Sequence, residues 1–380
     1  MIDKKLFALK SGNHLIAEGA YKAGCRAFFG YPITPASDVF REMITMLTSG
    51  EGIALSAPDE ITSLCYCIGA SMKGVKSMTA TSGPGWCLMI ESVQYAIMTE
   101  TPVVIVIVQR LGPSTGSATQ GAQGDIFLAE YASSGGYTIP MFCPSNPYEC
   151  YEMTIHAFNW SEKLRTPVIV LTDKEVGMTY ESVDYNQLPD VPIINRKYFE
   201  GSDNYKPYDY SYIYDVPDFI PVGSHIKVTA TGSTHNKSGF LKKNDPESLE
   251  VLLHLEEKII HHAREMEMVN YDFQEASDIL LISYGITARA CMEAVRRLRD
   301  AGIRISFLKV YTLFPIPEEA LVKALDGIHR VYIAEENLMG LYARALAPLL
   351  HGKNICRINK IGALISPEEI IKKIRETQSK

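Results

Sequence analysis

Three absences narrow the reading of this 380-residue sequence. It has no apolar run long enough to cross a bilayer, so no membrane role is expected. It has no excess of basic residues: the formal charge is −7, and no basic patch stands out to hold a nucleic acid. It also has no metal or phosphate signature of the common kinds. No CxxC occurs among its eight cysteines, Cys25, Cys65, Cys67, Cys87, Cys143, Cys150, Cys291 and Cys356. Cys65 and Cys67 lie two apart on an expected helix and so face different directions. The cysteines read as small apolar residues in a reducing compartment, with no iron–sulfur cluster and no metal expected in this chain. No GxGxxG follows the first strand, and no GxxxxGK[ST] appears. If the ligand is a diphosphate cofactor, this chain holds only part of it, and another subunit supplies the metal and phosphate half. The first residues, Met1-Ile-Asp-Lys-Lys-Leu-Phe7, lack the apolar core of a signal peptide, so a cytoplasmic location is expected.

What is present is a repeated alternation of strand and helix. Residues 26–31 read as a strand, followed by Gly30-Tyr-Pro-Ile-Thr-Pro35, where glycine and two prolines forbid regular structure. Ser37 or Asp38 is placed to cap a helix over 39–47. Further strands are expected at 53–57, 76–81, 137–142 and 167–172, with helices at 13–23, 60–72, 86–99 and 147–164. Residues 102–109 form a continuous apolar run, the mark of a strand buried on both faces of a parallel sheet. A doubly wound α/β domain over 1–185 follows. Residues 186–274 read as an irregular connector with a possible strand at 226–232 and a charged helix at 245–267. A second, smaller α/β series occupies 275–380, with its last expected helix at 340–350.

Four loops should share the carboxyl edge of the first sheet: 31–37, 59–60, 81–85 and 109–125. Thr34 sits between two prolines and presents its hydroxyl on a stiff support. Glu60 opens a helix of small and apolar residues. It either simply favours the helix N-terminus or aims a carboxyl into a buried site for proton exchange. Ser82-Gly83-Pro84-Gly85 is either a turn or a place where backbone comes close to a flat ligand. Arg110 follows a buried strand, suited to a bidentate carboxylate contact or to a salt bridge at the sheet edge. The loop over 110–124 is long enough to be functional or disordered.

These stretches together resemble the alpha subunit of the 2-oxoacid:ferredoxin oxidoreductases, most closely the 2-oxoglutarate type. The resemblance rests on Gly30-Tyr-Pro-Ile-Thr-Pro35, Glu60 with Gly69-Ala-Ser71, and Thr81-Ser-Gly-Pro-Gly85. Gln109-Arg110 with Gly112-Pro-Ser-Thr-Gly116, Gln123-Gly-Asp125 and Glu335-Glu-Asn337 extend it over nearly the whole chain. The family implies a pyrimidine-binding thiamine-diphosphate domain followed by a transketolase C-terminal-like domain. It implies that Glu60 bonds the aminopyrimidine, and that Pro32, Ile33, Ser82, Gly83, Pro84 and Gly85 line the cofactor pocket. Thr34, Arg110, Ser114 and Thr115 would hold the substrate. It implies thiamine diphosphate shared with a beta subunit that carries Mg²⁺ and a [4Fe–4S] cluster, with separate gamma- and delta-type subunits, ferredoxin and coenzyme A as partners.

Two departures bear on the acyl group: Leu111 stands where a glycine is common, and Leu341 where many relatives have Gln. The retained Pro-Ser-Thr-Gly favours 2-oxoglutarate over branched-chain 2-oxoacids or pyruvate. A split, non-oxidative thiamine-dependent decarboxylase and a non-catalytic scaffold are the readings from other classes.

Overall fold

A computed structural model describes residues 6–50, 52–202 and 204–378. Its larger sheet has seven strands, in the spatial order Thr312–Phe314, Met141–Phe142, Pro167–Asp173, Val103–Gln109, Ser77–Thr81, Ala27–Gly30 and Ile53–Ser56. All are parallel except the first, which pairs antiparallel with Met141–Phe142. That edge strand comes from the C-terminal third of the chain. The second sheet has five strands, ordered Asn354–Asn359, Arg330–Glu335, Ile279–Ser283, Ser306–Val310 and Val269–Asp272, the last antiparallel. A small antiparallel ladder joins Phe7–Lys10 to Glu181–Asp184.

The central strand shows why the apolar run at 102–109 needs both faces covered. Val103, Ile105 and Ile107 pack into one core, and Val104, Val106 and Val108 into another on the opposite face. The first core does not stop at the domain edge. It runs on through Leu280, Ile282, Leu308 and Ile333 of the second sheet, so the two α/β units share apolar interior. The outer face of the second sheet, with Leu281 and Phe307, has its own cluster under the helix Thr287–Asp300.

Several local expectations are corrected. Residues 226–232 form no strand; they are irregular, and His235 pairs with Leu241 in an isolated bridge just beyond them. The helix expected at 245–267 breaks into Pro246–His261 and Ala263–Met266, and the one at 340–350 shortens to Leu341–Ala345. The strand expected at 137–142 is only Met141–Phe142. Neither Ser37 nor Asp38 caps the next helix: it spans Ser37–Ser49 after Ala36, and Asp38 pairs with Arg41 instead.

Gln123 joins the two units. Its Nε2 donates to the Tyr284 carbonyl at 3.2 Å, and its Oε1 accepts from Thr287 Oγ1 and the Glu336 amide, each at 2.9 Å. Its own amide donates to the Glu336 carbonyl at 2.8 Å, and its carbonyl accepts from Asn337 Nδ2 at 3.1 Å. The helix Pro246–His261 is tied in by a second buried cluster, in which Lys258 Nζ lies 2.7 Å and His254 Nε2 3.2 Å from Glu100 Oε2. Burial opposes charge on Glu100, but Lys258, His254 and Arg165 outweigh it and hold its carboxyl well below the usual range.

Two outcomes are expected. Gln123→Ala orphans buried groups at about 1–3 kcal/mol each, which should lower the thermal midpoint and open 110–124 to proteolysis. Lys258→Met strands the Glu100 charge and should cost about 3–5 kcal/mol in denaturant unfolding. Because the folded-state value of Glu100 is depressed, its contribution is present above the ordinary carboxylate range and is lost as pH falls below it. The gap between wild type and Lys258→Met should therefore close in acid.

Candidate active site

The site begins where two strands part. Ala27–Gly30 and Ser77–Thr81 pair only through Ala27 with Ser77 and Phe28 with Met78. Beyond that point Phe29-Gly30 and Thr79-Ala80-Thr81 diverge toward their carboxyl ends. The chain also reverses its winding there, since the strand after Ala27–Gly30 lies on one side of it and the next on the other. A parallel sheet opens its ligand crevice at such a reversal. Two buried hydroxyls at this crevice, Thr79 Oγ1 and Ser82 Oγ, have no partner.

Each loop is held by identifiable bonds. Asn13 Nδ2 donates to the Pro35 carbonyl at 2.8 Å, and the Ala36 amide to that of Ile33 at 2.8 Å. Arg110 Nη1 donates to the Thr34 carbonyl at 2.7 Å. Thr34 is therefore engaged through its backbone, and the bond fixes the guanidinium while leaving Arg110 Nε buried and unpartnered. Asp59 caps the helix Glu60–Met72 by accepting from the Thr62 amide at 2.7 Å. The cap puts Glu60 at the first helical position, only 6% exposed, with no hydrogen bond or ion pair among the described residues.

The helix Gly83–Met98 brings its first turn against both acids. A Cβ at Gly85 would sit 2.5 Å from Glu60 Oε1 and closer still to Thr81 Oγ1. A Cβ at Gly83 would sit 2.8 Å from Asp125 Oδ2. These glycines are needed for close approach rather than for a turn. The unpaired Glu60 carboxyl, the bare glycine backbone and the orphaned hydroxyls fit the aminopyrimidine half of thiamine diphosphate, a flat group with ring nitrogens and an amine. Among the described residues no group of three or more His, Cys, Asp or Glu is arranged to hold a metal ion.

A cavity of about 410 Å³ lies between the two units. Gly83, Pro84, Arg110, Ser114 and Asp125 face it from the first, and Glu336, Asn337, Met339 and Leu341 from the second. Leu111 lines it from the first unit and Leu341 from the second, so the two departures from the family pattern border one cavity. The second unit's wall is held by Glu335, which is fully buried and accepts from Tyr284 OH, Asn337 Nδ2 and the amides of Tyr342 and Ala343. The loop over 110–124 is ordered: Leu111 bridges Ser117, and Gln120 Nε2 donates to the Gly362 carbonyl.

The expected site residues divide accordingly. Glu60 and Gly85 come together, with Thr81 beside them, and Thr34 meets Arg110. Ile33 packs on the core, Pro32 and Thr115 are exposed, and Thr115 does not line the cavity. Gln123 and Asp125 went unassigned, although both lie in a stretch that carried the family resemblance. No helix of the described residues is long and apolar enough to cross a membrane.

Gly85→Ala should force Thr81 and Glu60 apart at a cost of about 1–3 kcal/mol, read as a lower denaturant midpoint with an unchanged slope.

Residues 18–254 match the family described as pyruvate flavodoxin/ferredoxin oxidoreductase, thiamine diphosphate-binding. Residues 277–370 match the pyruvate:ferredoxin oxidoreductase core domain II. The chain is 38% identical to 2-oxoglutarate synthase subunit KorA of Methanothermobacter marburgensis, over 96% of this chain and 97% of the relative. It is 30% identical to ketoisovalerate oxidoreductase subunit VorB of Methanothermobacter thermautotrophicus, over 96% of each. The structure of 2-oxoglutarate:ferredoxin oxidoreductase from Magnetococcus marinus, with 2-oxoglutarate, coenzyme A and succinyl-CoA bound, superposes with a TM-score of 0.91 at 30% identity. It covers 98% of this chain, which spans 65% of that longer one. A fold wound around this crevice and a match running through both units together place the chain in the pyruvate flavodoxin/ferredoxin oxidoreductase family.

Proposed function

We propose that this chain is the alpha subunit of a 2-oxoacid:ferredoxin oxidoreductase acting on 2-oxoglutarate, which with coenzyme A gives acyl-CoA, CO₂ and reduced ferredoxin. The observation that carries this reading is the buried, unpaired Glu60 carboxyl set against Gly85.

Thiamine diphosphate, when bound, supplies the carbon nucleophile and the electron sink for loss of CO₂ from a 2-oxoacid. Glu60 would share a proton with the ring nitrogen of the aminopyrimidine, in a site where water does not compete for it. Gly83 and Gly85 let that ring approach the backbone. Arg110 is held by its bond to the Thr34 carbonyl and lines the cavity, so its guanidinium is placed for the substrate carboxylate. Ser114 stands at the cavity rim as a further donor. Gln123, holding Glu336 and Asn337, keeps the far wall in place.

The other half of the site belongs to a beta subunit, which would hold the diphosphate, Mg²⁺ and the [4Fe–4S] cluster. A surface suited to it adjoins Glu60. Ile61, Cys65 and Tyr66 on the helix Glu60–Met72, Leu88 on Gly83–Met98, and Ile53 and Leu55 on the edge strand are all exposed. Exposed apolar side chains in this number, beside an open strand edge, mark an interaction face. Separate gamma- and delta-type subunits complete the proposed assembly, in the cytoplasm. The 2-oxoglutarate preference is supported by a higher identity to the KorA relative than to the VorB relative.

The test uses the anaerobically co-expressed complex, with 2-oxoglutarate, pyruvate and 2-oxoisovalerate compared side by side for coenzyme A-dependent reduction of ferredoxin. Preference for 2-oxoglutarate is expected. Glu60→Gln, the same shape without the acid, should assemble normally and lose about a thousandfold in kcat, the scale of a lost proton-transfer group. CO₂ release that needs no electron acceptor would instead favour a non-oxidative decarboxylase. An active Glu60→Gln complex would remove Glu60 from the chemistry. Leu88→Asp should weaken capture of the beta subunit without altering the fold of this chain.

A further inference from the structure

Asp125 has no role in the reaction as described, yet it is built into the cavity wall. Its amide donates to Gln109 Oε1 at 3.0 Å, and the helix Ile126–Glu130 follows directly, so its position is set from both sides. Its Oδ2 is shut off from solvent and has no hydrogen-bond partner. An orphaned buried acceptor is costly, and the Asp125 side chain as a whole is only partly buried and lines the cavity, where a ligand can reach its carboxyl. Arg110, on the same cavity, has an orphaned donor in Nε. No ion pair within 4.0 Å joins the two side chains, so each is left for something between them.

The charges around Asp125 are few. Burial pushes its carboxyl up to about 6, and Arg110 draws it back down. On the helix beneath it, the Cys87 thiol is raised by its own burial and then by Asp125. Across the cavity, burial pushes Glu336 up to about 7. A carboxylate seated on Arg110 would cancel the downward pull on Asp125 and add a negative charge beside it. Both changes favour the protonated acid.

We propose that Asp125 is a further substrate-contacting residue: it takes up one proton from solvent when a carboxylate seats on Arg110, and then donates a hydrogen bond to the oxygen on the adjoining carbon. The inference rests on the reading of this cavity as the 2-oxoacid site. It assigns the carboxylate and the oxo oxygen of a 2-oxo carboxylate head group to two different side chains. A simple monocarboxylate, with nothing to offer Asp125, satisfies only Arg110.

The test is calorimetry on the anaerobic complex with its partner subunit at pH 7. The probe is 2-hydroxyglutarate, which keeps the carboxylate and the neighbouring oxygen but is not decarboxylated. Titrations in two buffers of different ionisation enthalpy give the protons taken up on binding. Wild type is expected to take up a large fraction of one proton. Asp125→Asn still donates a hydrogen bond, so it should bind within about threefold of wild type but take up almost none. Asp125→Glu, which restores a titratable group, should restore uptake. In wild type, kcat/KM for 2-oxoglutarate should fall by up to about tenfold per pH unit above the Asp125 value and level off in Asp125→Asn. Unchanged uptake in Asp125→Asn, or its loss in Glu336→Gln instead, overturns the assignment to Asp125. Binding by wild type without uptake overturns the proton step while leaving the site reading intact. No binding by wild type overturns the site reading itself, and this inference with it.

Discussion

Gln123 is the most densely bonded of the residues that hold the two halves of this molecule in register, beside the Thr312–Phe314 strand pairing and the Lys309–Glu149 ion pair. The Gln123 side chain and backbone together make five hydrogen bonds to the second unit. A buried carboxamide has two donors and two acceptor sites, and leaving any of them empty is costly. The junction is therefore specified by geometry as well as by apolar contact. The shared core that runs from Ile105 to Ile282 supplies adhesion, which tolerates small slips. Gln123 does not tolerate them, and the cavity wall at Glu336 and Asn337 inherits that precision.

The chemistry is laid out in the same way, by elements that are complete and ends that are not. The central strands are paired and buried until Ala27–Gly30 and Ser77–Thr81 separate. From there on, buried polar groups lack partners: Thr79, Ser82, Arg110 Nε and Asp125 Oδ2. Proteins rarely leave so many buried groups unsatisfied in one region. Together with the exposed apolar side chains of Ile61, Tyr66 and Leu88, they fit the proposed reading in which a cofactor and a second subunit complete the site.

The parts read correctly from sequence were those where local pattern and tertiary environment agree. The run at 102–109 could be buried only on both faces, and Val103 to Val108 alternate between two cores. Glu60 at a helix start, glycines at 83 and 85, and Arg110 at a strand end were recognisable because each is unusual for its position. The misreadings share a cause as well. That Arg110 takes the Thr34 carbonyl was not foreseen, since no side-chain signal reports a backbone acceptor. Residues 226–232 have strand-like composition but no neighbouring strand to pair with. Thr312–Phe314 crosses to the edge of the other unit's sheet, a pairing between residues far apart in the chain.

By itself the sequence determined the alternation of strands and helices, the doubly wound class, the set of loops on one sheet edge and the family to which they belong. Hydrophobic period, turn residues and short motifs are local properties, and they survive without knowledge of what lies opposite. Only the tertiary structure decided which loop groups meet. It put Asp125 over Gly83 and Glu60 against Gly85, set Arg110 by the Thr34 carbonyl, and brought Glu336 and Leu341 to the wall opposite them. These contacts join residues tens to hundreds of positions apart. Their distances follow from how two sheets pack on a common core, a property of the whole chain that no window of the sequence contains.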